Sequence, residues 1–81
     1  MNIEELKNMI KPELESVFGS TMTNLILTRA KMKVSSGVKD IDDISHCRLF
    51  IEYLGRDEMV LGMWGSLEVE EKVSKWLNYI N

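Results

Sequence analysis

Ile3, Leu6, Ile10, Leu14 and Val17 recur at steps of three, four, four and three residues, which lays one apolar stripe along a helix from about Asn2 to Phe18. Pro12 lies inside this stretch without changing its phase, so a continuous helix kinked at the proline is expected. The alternative is a break at Lys11, with Pro12 opening a second short helix. A second stretch, residues 20–34, places Met22, Leu25, Ile26, Ala30 and Val34 on one face, and Leu27 and Met32 widen that face. A third stripe, Ile44, Cys47, Phe50, Ile51 and Leu54, ends at Gly55. The last helix, opening at Ser66, carries Val69, Val73, Trp76, Leu77 and Ile80.

The connections carry matching signals. Phe18-Gly19-Ser20 and Trp64-Gly65-Ser66 each read as a helix corner, in which glycine takes the left-handed conformation and serine caps the next helix. Aligning the two regions at their offset sets Leu25 and Ile26 against Glu71 and Lys72, so the repeated triplet reflects shared corner geometry rather than duplicated halves. Asp40, Asp42 and Asp43 stand where the third helix starts and read as helix caps; Ser45 is the rival cap. A calcium loop needs ligands and a turn glycine that do not follow them. For the stretch Arg56 to Trp64, a short helix capped by Asp57 is favoured over a strand, because no other strand is available to pair with it. Glu68 with Lys72 and Glu71 with Lys75 have the spacing of helix-stabilising ion pairs. The expected fold is all-α: a single domain over residues 1–81, a compact orthogonal bundle of four to five short helices.

Composition narrows function mainly by exclusion. The 44% hydrophobic and 28% charged fractions suit a globular chain, and 81 residues allow one modest core. With 13 acidic and 10 basic residues the formal charge is −3, which works against non-specific nucleic-acid binding and its dependence on phosphate neutralisation. One cysteine excludes an internal disulfide and offers no zinc cluster, so a reducing cytoplasm is the expected location. Met1-Asn2-Ile3-Glu4-Glu5 lacks the basic start of a signal peptide, and no apolar run is long enough to span a membrane.

Candidate chemistry is sparse. His46 and Cys47 are adjacent, so on a helix they point about 100° apart and make a poor nucleophile and base pair. Cys47 also falls on the apolar stripe, where it reads as a small core residue. The glutamates Glu13, Glu15, Glu68, Glu70 and Glu71 read as solvated helix faces. The expected function is therefore a small helical interaction or regulatory module without catalytic activity or cofactor, binding a protein partner or a second copy of itself. Leu27, Met63 and Trp64 are its candidate partner-binding residues. The first alternative is a helix-turn-helix-like nucleic-acid binder that uses helix 20–34. It would contact its target through Asn24, Thr28, Arg29, Lys31 and Lys33, with Lys39 and Arg48 nearby. The second is a small-ligand or redox bundle around Cys47 and His46.

Overall fold

The computed structural model describes residues 1–37 and 40–80; Lys39, expected beside the basic cluster, lies outside these residues. Every regular element described is helical: α1 Ile3–Gly37, α2 Asp43–Arg56 and α3 Glu58–Asn78. As elements these are three rather than four to five, because α1 and α3 each hold two helical arms joined at a non-helical glycine, Gly19 and Gly65. Each corner is a bend inside one element.

These bends govern the shape. A straight helix as long as α1, 35 residues, would measure about 52 Å at 1.5 Å per residue, yet the longest dimension of the molecule is 33 Å. Gly19 folds α1 back on itself, so that Lys31 near its end forms an ion pair with Glu4 near its start. The arms 3–18 and 20–37 make a helical hairpin. Gly19 adopts φ 78°, ψ 170° and Gly65 adopts φ 80°, ψ 163°. Positive φ was expected at both, but the left-handed helical conformation has ψ near +47°. The observed pairs fall in a region that is essentially glycine's alone. A Cβ at either position would meet nothing within 4 Å, so backbone conformation by itself demands glycine. Ser20 and Ser66 are exposed and make no side-chain hydrogen bond, contrary to the expected serine caps. Pro12 leaves α1 unbroken, and Gly19 is its one non-helical interior position.

Of the aspartates expected to cap helices, Asp42 and Asp57 do so, while Asp43 is the first residue of α2. Asp42 accepts a 2.7 Å hydrogen bond from the Ser45 amide, and this bond holds its carboxyl below the ordinary range. Asp57 accepts from the amides of Met59 at 2.9 Å and Val60 at 3.4 Å, which opens α3 as a helix.

The core joins Leu6, Ile10 and Leu14 of the first arm to Ile26, Leu27, Ala30 and Val34 of the second. Cys47, Phe50, Ile51 and Leu54 of α2 and Val60, Val69 and Trp76 of α3 complete it among the described residues. Helix α2 packs against both neighbours. At Gly55 an added Cβ would lie 2.8 Å from Val73 Cγ2, so glycine permits the close approach of α2 to α3. The stripe of arm 20–37 differs from expectation by a rotation. Thr23, Ile26, Leu27, Ala30 and Val34 are buried, while Leu25 is exposed. Three consecutive apolar residues, Leu25, Ile26 and Leu27, leave the phase ambiguous in sequence. Val17 and Ile44, expected on buried stripes, are exposed as well.

Thr23 Oγ1 is buried with no hydrogen-bond partner. A helical threonine commonly bonds the carbonyl four residues back; here that residue is Gly19, whose ψ of 170° turns its carbonyl out of the helical direction. Thr23→Val removes the unsatisfied hydroxyl at nearly constant shape and is expected to stabilise the protein by about 1 kcal/mol, read as a higher urea midpoint. An unchanged or lower midpoint would mean that the hydroxyl has a partner in solution.

Candidate docking surface

Two polar clusters hold α1 to α3 and fix which faces remain outside. In the first, Glu13 of arm 3–18 accepts from Lys72 Nζ at 2.7 Å, Lys75 Nζ at 3.1 Å and the indole Nε1 of Trp76 at 3.2 Å. Burial is the largest single influence on its carboxyl and pushes the pKa up, but the hydrogen bonds from Lys72, Trp76 and Lys75 together outweigh it. The net pKa lies below the ordinary glutamate value. Lys72 also sits over the Trp64 ring, 4.3 Å from its centroid, and Trp64 meets Phe18 edge-on at 5.9 Å. The two aromatic-glycine-serine corners thus touch through their aromatic rings. In the second cluster, the Arg29 guanidinium donates to both Asp57 oxygens, at 3.1 and 2.8 Å. Asp57, almost fully buried, therefore caps α3 and ties it to arm 20–37.

Glu13 reads as a solvated acid in isolation, and no local signal pairs it with partners about sixty residues away. Lys72 and Lys75 turn to Glu13 instead of forming the expected pairs with Glu68 and Glu71. Among the described residues, no hydrogen bond or ion pair reaches the side chains of Glu68, Glu70 or Glu71.

The partner-binding candidates separate. Leu27 is 1% exposed and belongs to the core, because it lies two residues, about 200° of helical rotation, from the outward-facing Leu25. Met63 is 52% exposed, and Trp64 is half-buried by Phe18 and Lys72. Among the described residues the most exposed large apolar side chains are Leu67 at 78% and Met32 at 64%. Thr21, Leu25, Thr28, Met32 and Ser35, at steps of four, three, four and three, are all exposed and form an uncharged stripe along arm 20–37. That spacing is the seam pattern with which one helix packs on another.

The nucleic-acid candidates occupy the same arm. Asn24 and Thr28 are exposed, but the cations beside them have internal partners: Arg29 has Asp57, Lys31 has Glu4, and Lys33 lies 5.9 Å from the Tyr53 ring centroid. Cys47 is fully buried, its thiol 3.7 Å from the Met1 carbonyl, and burial pushes its pKa up, which suppresses the reactive thiolate. His46 is half-buried.

No three or more His, Cys, Asp or Glu side chains among the described residues are placed to hold a metal ion. No helix among them is long and apolar enough to cross a membrane. A groove of about 630 Å³ runs between α2 and α3, lined by Glu52, Gly55, Arg56, Val69, Glu70 and Val73 among others. A second hollow of about 300 Å³ is bordered by Arg29, Lys33, Arg56, Asp57, Glu58 and Met59. No protein-family model, curated protein or solved structure matches the chain.

Proposed function

We propose that this chain is a small helical protein-interaction module without catalytic activity, and that the outward stripe of arm 20–37 is its docking face. The observation that carries this proposal is the charge-free run of Thr21, Leu25, Thr28, Met32 and Ser35 on an exposed helix. The outward face of a helix in a small bundle is normally charged, and here two large apolar side chains stand on it while the core beneath is filled without them. The threonines and serine are small enough to let a second backbone come close, and Leu25 and Met32 supply apolar area. Methionine in particular adapts to varied partner surfaces.

The nucleic-acid alternative is less well supported, since Arg29 and Lys31 already hold carboxylates and the net charge is −3. The redox alternative is weakened by the burial of Cys47. A lone free thiol fits a reducing compartment such as the cytoplasm.

The test is selection from a displayed library of random helical peptides against the folded protein, with the Leu25→Glu, Met32→Glu double variant as control. Enriched peptides are expected to repeat apolar residues at steps of three and four, and to bind the variant at least about tenfold more weakly. No enrichment, or equal binding to the variant, would count against the docking face.

A further inference from the structure

The two most exposed large apolar side chains among the described residues, Leu67 and Met32, lie on different helices with opposite charge around them. In arm 66–78, Leu67 stands about 180° around the helix from the buried Trp76, so it crowns the outward face. Glu70 and Glu71, three and four residues on, lie to either side of it, and Glu68 is its neighbour. The lysines that would neutralise these acids on their own helix are drawn inward by Glu13. Acids near the start of a helical arm suit its dipole, which accounts for the glutamates but not for an exposed leucine among them. Along arm 20–37 the uncharged stripe is bordered by Arg29 and Lys33 on one side and Lys31 on the other. Arg29 and Lys31 keep 39% and 46% of their side chains exposed while holding Asp57 and Glu4. Lys33 has no carboxylate partner among the described residues.

We propose that the occupant of the stripe is a second copy of this chain, which docks the outward face of its arm 66–78 so that Leu67 meets Leu25 and Met32 while Glu68, Glu70 and Glu71 face Arg29, Lys31 and Lys33. This rests on the docking-face assignment above and adds the partner. The charged parts of the two faces have similar spans along their helices, about 4.5 Å from Glu68 to Glu71 and about 6 Å from Arg29 to Lys33 at 1.5 Å per residue. Pairing the stripe with its own twin instead would bring the bordering cations together. Because the two faces differ, the contact is head-to-tail: each bound copy still offers one free face, and assembly proceeds beyond two unless a ring closes. The contact is small, so association is weak, and its charge component fades with added salt.

Sedimentation equilibrium of the full chain between about 10 µM and 1 mM at low salt tests this, a range that spans weak affinities. Leu67→Glu and the Leu25→Glu, Met32→Glu variant alter only exposed side chains; circular dichroism and thermal melting confirm that each folds. The wild type is expected to gain average mass with concentration, and each variant to stay monomeric. An equimolar mixture of the two variants is expected to form dimers and stop there, since it retains one complementary pair of faces. A wild type that stays monomeric, a Leu67→Glu protein that still associates, or a mixture that stays monomeric would each overturn the proposal. If the wild type is monomeric while stripe-dependent peptides are still selected, self-docking falls and the docking face stands. If neither occurs, both fall.

Discussion

Asp57→Ala is expected to lower the unfolding free energy by about 3 kcal/mol, a large share of the total in a domain of this size. One carboxylate closes two separate connections. Of its two oxygens, Oδ1 accepts from the Met59 and Val60 amides at the start of α3, and a lost aspartate cap costs about 1 kcal/mol. The same oxygens receive both hydrogen bonds from Arg29, and charged hydrogen bonds contribute about 1.5–3 kcal/mol. Asp57→Asn separates the two: it keeps an acceptor for the amides and removes the charge that holds the guanidinium, so about 1 kcal/mol of the loss should be recovered. Urea denaturation of the three proteins at pH 7 makes the comparison. Equal losses in both variants would show that the cap contributes nothing measurable.

Glu13→Ala is expected to cost about 2–3 kcal/mol at pH 7, because it strands the buried indole N–H of Trp76 and releases Lys72 and Lys75 together. The cost should depend on pH with a definite sign. The folded protein holds the Glu13 carboxyl below its ordinary pKa, so folding favours the ionised form. Its stabilisation is fully present above the unfolded value of about 4.3 and is lost as pH falls through the folded value. The difference between wild type and Glu13→Ala should therefore be constant near neutrality and shrink below about pH 4. A difference that is the same at pH 7 and pH 3 would mean that Glu13 acts through packing and not through its charge.

Features set by a single residue's own chemistry were legible in the sequence. Gly19 and Gly65 stand at positive φ where the aromatic-glycine-serine triplets place corners, and Asp42 and Asp57 cap helices as their positions suggest. The details of the corners were less accessible. Local pattern did not separate a left-handed turn from the extended, positive-φ conformation that folds α1 back on itself. Helical phase was readable only where apolar residues are spaced apart. Leu6, Ile10 and Leu14 are buried as their spacing requires, whereas the run Leu25, Ile26 and Leu27 admits two rotations, and packing into the shared core selects the one that buries Leu27. Long-range polar partners left no trace in the pattern. Lys72 and Lys75 have acids four residues away on their own helix and still bind Glu13, where the Trp76 indole adds a third donor in a partly buried setting. That choice leaves Glu68, Glu70 and Glu71 around Leu67 without a side-chain partner among the described residues.

The docking face is tested most directly by titrating a selected helical peptide into isotopically labelled protein and mapping the backbone amide shifts. Shifts concentrated at Thr21, Leu25, Thr28, Met32 and Ser35 are predicted, with Cys47 and the core of α2 unmoved. Shifts centred instead on the Glu52, Arg56 and Glu70 groove between α2 and α3 would contradict it.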